Sequence, residues 1–122
     1  MTRINVGIPP KKLPRQLLIA EHREITRIPN TVKSGKAKIK NIPDKFKLGQ
    51  GHVKFFYTRL GYLKKRYEEL YNECVARNYN VTNKSDAFLS LPEECMGDYT
   101  PSDEDRQLIT ERIKSKGKFD VE

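Results

Sequence analysis

Apolar residues along this chain recur with a helical period in three stretches and lose that period between them. The clearest stretch is central. Phe56, Leu60, Leu63, Tyr67, Leu70 and Cys74 repeat at alternating steps of four and three, which predicts a helix over residues 52–77. Lys64, Lys65, Arg66, Glu68 and Glu69 are expected mostly on its exposed side. An earlier helix is predicted over residues 13–28, where Leu17, Leu18, Ile25 and Ile28 share one arc, with Pro29 ending or kinking it. A third begins at Thr100-Pro101-Ser102-Asp103-Glu104, with Thr100 as N-cap, Pro101 in the first turn and acids at the positive end of the dipole. Leu108, Ile109 and Ile113 give it a buried face, and Arg112 and Lys116 lie four apart on another.

The intervening segments read differently. Residues 1–12 have no helical period and contain Pro9 and Pro10, which predicts an extended N-terminal arm. Residues 30–51 are lysine-rich with Gly35, Pro43, Gly49 and Gly51, and read as a loop. Their alternating lysines leave an edge strand as a minor option. Residues 78–99 form a connection, with room for a short helix near 85–91. No internal repeat is present. The expected architecture is all-α: a compact three-helix single domain with long loops, spanning 1–122, with an arm at 1–12 and a tail at 117–122.

Length and composition agree, since 122 residues support one small core. No apolar run approaches the roughly 20 residues needed to cross a bilayer, and MTRINVGIPP lacks the apolar core of a signal peptide. The expectation is a cytoplasmic protein without membrane contact. Cys74 and Cys95 are far apart and are read as buried thiols, neither a disulfide nor a metal site. With His22 and His52 the only histidines, no zinc site is expected.

Charge changes the picture more. The net charge is +8, unevenly spread. Residues 33–66 carry eleven basic groups against the single acid Asp44, whereas residues 67–111 carry eleven acids against three basic groups. A basic half joined to an acidic half suits a protein with one face for a polyanion, although solvated surface lysine explains the count about as well.

The first predicted helix holds the candidate chemistry. With Leu17 at 0° on a helical wheel, Glu24 falls near about 340°, while Gln16, Arg23 and Arg27 cluster between about 240° and 280°. Glu24 thus lies on the seam between an apolar arc and a cationic stripe. Burial raises a carboxylate pKa and arginines lower it, so such a position is tunable, and the guanidiniums suit phosphates. By spacing alone, an ordinary surface ion-pair cluster is the better reading.

The chain resembles the phage-type pyrimidine-dimer DNA glycosylase/AP-lyase family, known in its T-even form as endonuclease V. The resemblance rests on Met1-Thr2-Arg3-Ile4-Asn5, on Ala20-Glu21-His22-Arg23-Glu24 with Arg27, and on Leu48-Gly49-Gln50-Gly51-His52-Val53-Lys54-Phe55-Phe56-Tyr57. It continues in Gly97-Asp98-Tyr99-Thr100-Pro101 and in Arg112 and Lys116, in family order to about residue 116.

That resemblance implies a mechanism. The initiator methionine is expected to be removed, leaving the α-amine of Thr2 as nucleophile at the sugar C1′ of the damaged nucleoside. The base leaves, a Schiff base forms, and β-elimination cuts the strand. Glu24 is implied as the second catalytic residue, stabilising positive charge on the sugar and handling protons. Arg3, Arg23 and Arg27 are implied to hold the flanking phosphates, Gln16 to contact DNA nearby, and Arg112 and Lys116 to extend the phosphate track. Lys33, Lys36 and the lysines up to Lys47 would supply salt-dependent, sequence-independent affinity. The implied partner is damaged double-stranded DNA, which the family kinks and from which it displaces a base. No cofactor and no metal are implied, the expected state is a monomer, and the expected setting is the cytoplasm of a bacterium or of a bacterial host cell. His52 is read as a helix-start residue without a catalytic role.

The chain also departs from the family. The T-even form has an aromatic-rich tail, where this sequence has Phe119 alone; the basic loop is shorter; and Leu17 follows Gln16 where a polar residue is expected. These differences bear on substrate preference more than on chemistry. They leave two alternatives: the same mechanism on another damaged or modified base, or a non-enzymatic basic DNA-binding protein.

Overall fold

A computed structural model describes residues 2–115 of the chain; Met1, Lys116 and the tail 117–122 lie outside the described residues. It contains α1 (Arg15–Glu24), α2 (Arg27–Lys33), α3 (His52–Phe55), α4 (Leu60–Ala76) and α5 (Asp103–Ser115). Short 3-10 turns at Pro10–Lys12, Phe56–Thr58, Ser85–Phe88 and Glu93–Cys95 join them. The all-α class expected from the sequence is borne out. Two of the three expected helices, however, are broken in two.

The first break lies before Pro29 rather than at it. Proline has no N–H to give to the carbonyl four residues back, and its ring crowds that carbonyl. That carbonyl belongs to Ile25, where α1 ends. The Ile25 carbonyl instead accepts the Ile28 N–H in a tighter turn at 3.4 Å. Pro29 itself lies within α2 and is buried.

The second break separates α3 from α4. Residues 96–97 press against it: Gly97 N–H donates to the Thr58 carbonyl and Tyr62 N–H donates to the Gly97 carbonyl, each at 3.2 Å. Gly61 permits this approach, because a Cβ there would lie 2.6 Å from the Met96 oxygen. The predicted continuous helix over 52–77 is corrected accordingly. Its far end is where the pattern put it. Asn78 turns left-handed (φ 62°), and Tyr79 N–H returns to the Cys74 carbonyl in a Schellman closure.

The third helix starts two residues later than expected. Ser102 is its cap: its Oγ accepts the Asp105 N–H at 3.0 Å, while the Asp105 carboxylate accepts the Ser102 N–H at 3.2 Å. The stretch after α2 contains turns and bends but no strand, so the edge-strand option is not adopted. Gly35, Asn41, Gly49 and Gly51 all take positive φ there, which is incompatible with an extended run.

The core is built between α1, α4, α5 and the N-terminal segment. The apolar series of α4 is buried from Leu60 to Cys74, as predicted. The expected extended arm over residues 1–12 is corrected: Ile8 N–H closes a turn onto the Asn5 carbonyl at 3.3 Å, which the positive φ of Gly7 (76°) permits, and Pro10–Lys12 form a 3-10 turn. Ile4, Val6 and Ile8 are buried, each contributing about 1.5–3 kcal/mol of apolar burial. Cys74 and Cys95 are free and buried, as read from their spacing.

Candidate active site

Burying the N-terminal segment obliges its backbone and polar side chains to find partners. Residues 3, 4 and 5 each find one on a different part of the fold. Arg3 N–H donates to Glu24 Oε1 at the end of α1, at 3.1 Å. Ile4 N–H donates to His52 Nε2 at the start of α3, at 3.0 Å. The Asn5 side chain bridges two helices: Nδ2 donates to Glu21 of α1 at 2.9 Å, and Oδ1 accepts from Arg112 of α5 at 2.8 Å.

These contacts line a cleft of about 90 Å³, walled by Leu17, Ala20, Glu21 and Glu24 of α1, Arg112 and Ile113 of α5, and Arg3 and Asn5. The Glu24 side chain is 14% exposed, with Arg23 Nη2 lying 3.6 Å from Oε2. It occupies the boundary that the wheel assigned to it, between apolar wall and cationic rim. Thr2 is joined directly to the Arg3 nitrogen held by Glu24.

Arg112 is pushed below the ordinary guanidinium pKa, first by burial and then by the neighbouring positive charge of Arg3. The carboxylates of Glu21 and Glu24, which line the same cleft, act on it in the opposite sense.

Beneath the cleft is a pair that the helical pattern did not reveal. Arg66, expected on the exposed side of α4, is buried and meets Glu21 through two bonds, Nε to Oε2 at 2.8 Å and Nη2 to Oε1 at 2.9 Å. Its Nη1 donates to the Ile8 carbonyl at 2.6 Å. Glu21 thus fixes Asn5, and Asn5 fixes Arg112. A signal for this pair existed. Glu21 is spaced i+4 from both Leu17 and Ile25, and Arg66 is spaced three from Leu63 and four from Leu70. Each therefore sits in its helix's apolar register, and opposite charges in two such registers imply each other.

The other expected DNA-contact residues are dispersed. Gln16 and Arg23 line a shallow groove with Arg15, Ile19 and Ala20, and Ala20 is shared with the cleft. Arg27 is exposed at the start of α2. Lys33 and Lys36 do not line the cleft; the Lys33 ammonium donates to the Asp86 carbonyl at 2.7 Å. Lys116 lies outside the described residues. Among the described residues no three His, Cys, Asp or Glu side chains come together as a metal cage, and no helix is long and apolar enough to cross a membrane.

The cleft of this all-α domain thus brings two carboxylates, Glu21 and Glu24, together with the guanidiniums of Arg3 and Arg112, on a basic chain. Comparison with known families adds to this. The model for pyrimidine dimer DNA glycosylases matches residues 1–87, and the chain belongs to that family, a DNA repair glycosylase with DNA as its substrate. The match covers the N-terminal segment and α1 through α4, so Glu24, Arg3 and His52 fall within it and Arg112 beyond it.

Proposed function

We propose that the protein is a bifunctional glycosylase and AP lyase acting on pyrimidine dimers, with the α-amine of Thr2 as nucleophile once Met1 is removed. The observation that supports this reading is the Arg3 N–H bond to the partly buried Glu24 carboxylate, made by the residue next to Thr2. An α-amine has an ordinary pKa of about 7.7–8.0, so a useful neutral fraction exists near neutral pH.

The amine lone pair forms the bond to C1′, and the N-glycosidic bond breaks with its electron pair leaving on the base, which takes up a proton. Ring opening gives a protonated Schiff base. That cation acidifies the C2′ proton; its removal expels the 3′ phosphate, and water then hydrolyses the imine to regenerate the amine. Glu24 stabilises positive charge developing at the sugar and carries the C2′ proton. Arg3 and Arg112 hold a flanking phosphate, with Arg23, Arg27, Gln16 and Lys116 extending the contact, while Lys33, Lys36 and their neighbours supply salt-dependent affinity.

Borohydride reduction tests the reading in one step. A covalent adduct with an abasic duplex is expected, and peptide mass should place it on Thr2. Acetylation of the amine should abolish it. An enzyme that releases bases without any trappable adduct would contradict the lyase chemistry and leave only the glycosylase.

One observation favours a second reading of the substrate. Leu17 forms part of the cleft wall, at a position where the family resemblance implies a polar residue. An apolar wall fits the same chemistry on a different damaged base, and incision of duplexes with defined lesions separates the two.

A further inference from the structure

We propose that His52 is a positioning residue for this reaction, holding the backbone that carries Thr2 by accepting the Ile4 N–H and tying it to the lysine-rich loop through the Lys47 carbonyl. The inference rests on the assignment of Thr2 as nucleophile. A backbone N–H only donates, so the Nε2 atom facing Ile4 at 3.0 Å must present its lone pair. The proton is therefore on Nδ1, which donates to the Lys47 carbonyl at 2.9 Å. The ring is neutral and satisfied at both ends. The rings of Phe46 and Phe56 meet it edge-on, with centroids 5.4 and 5.5 Å away, which fixes its plane.

Ile4 is fully buried, so its N–H has no water to turn to if the ring is lost. Arg3 is anchored to α1 and Asn5 to α1 and α5, whereas Ile4 is anchored to α3. Loss of the Ile4 anchor lets the segment shift at the residue between the other two. A nucleophile displaced by about 1 Å reacts on the order of a hundredfold more slowly. Protonation has the same effect as deletion, since it turns Nε2 into a donor aimed at another donor. The charged groups around the ring are Arg112 of α5 and Arg3 of the N-terminal segment, which oppose protonation, and Glu21 of α1, which favours it; burial outweighs them and keeps the ring neutral.

Two substitutions separate the two ring nitrogens. His52→Gln places an amide oxygen where Nε2 accepts, whereas His52→Asn keeps a donor for Lys47 and drops the acceptor. Single-turnover borohydride trapping on an abasic duplex, with saturating enzyme, is the readout, alongside duplex affinity. The expected result is a His52→Asn rate about ten- to a hundredfold below wild type at unchanged affinity. His52→Gln should stay within a few-fold of wild type and lose the component of the acid-side fall that His52 contributes.

Equal rates for wild type and His52→Asn, or a folded His52→Gln as slow as His52→Asn, overturn the proposal. If circular dichroism shows His52→Asn unfolded, His52→Gln decides alone: an unchanged acid limb, or a large loss of rate, is adverse. No adduct in the wild type would remove the nucleophile, and this inference with it.

Discussion

Glu21 and Arg66 meet through two parallel bonds of 2.9 and 2.8 Å, with both side chains almost wholly withdrawn from water. Such a pair gains little over an apolar replacement of equal volume, but removing one member leaves the other charge stranded. Arg66→Met is expected to destabilise the fold by about 3–5 kcal/mol, read as a lower urea midpoint. Restoring neutrality with Glu21→Leu in the same chain should recover part of that loss. An Arg66→Met midpoint equal to wild type would mean that the pair does not support the fold.

Glu24 is expected to act on chemistry rather than on folding. Glu24→Gln keeps an oxygen for the Arg3 N–H and removes the charge. Base release from a dimer-containing duplex should fall by at least about a hundredfold, with duplex affinity and melting temperature little changed. Base release at the wild-type rate would take Glu24 out of the mechanism.

Both histidines should make the fold acid-sensitive. His22 and His52 are each held below the ordinary imidazole value, chiefly by burial, with Lys84 adding to the effect at His22. The unfolded chain therefore binds protons at higher pH than the folded one does. The stabilisation from the neutral rings is fully present above about pH 6.5 and declines as pH falls from there through the lower folded-state values. Thermal melts between about pH 7.5 and 5 should show a falling melting temperature, with a shallower fall in His52→Gln. A flat profile in the wild type would contradict the burial of both rings.

Gly61→Ala poses two effects against each other. Alanine favours a helix over glycine by about 1 kcal/mol. Its Cβ, however, would lie 2.6 Å from the Met96 oxygen and 2.9 Å from that of Gly97, both backbone atoms. Displacing that segment also strains the paired bonds at Thr58 and Tyr62. Overpacking of this kind costs about 1–3 kcal/mol, so the net effect is expected to be destabilising, as checked by denaturant melts. A more stable variant would show that residues 96–97 move away freely.

The pattern of apolar spacing located the helices, the α4 core face and Glu24 on its seam, because each of these is a local property of one helix. Three features were not local. The breaks at Ile25 and Arg59 depend on a proline four residues downstream and on a strand-like contact with residues 96–97. Arg66 lay in the apolar register of its helix, but only a partner 45 positions away explains a charge there. The roles of Asn5 and His52 had no signal in spacing, since each partners a segment distant in sequence. The arm was read as extended throughout, whereas it turns at residues 5–8 and again at Pro10–Lys12; its burial did carry a signal, the apolar residues Ile4, Val6 and Ile8 at every second position, which a search for helical period passes over.

The threading of residues 4–8 through the interior has a consequence for anyone wishing to alter this enzyme. The end that carries the proposed nucleophile cannot be redesigned as a detachable handle, because Ile4, Val6 and Ile8 just behind it plug the hydrophobic interior. Substitutions there that sharpen or redirect activity will be scored together with their effect on folding yield, and the tolerated variety at that end should be correspondingly narrow.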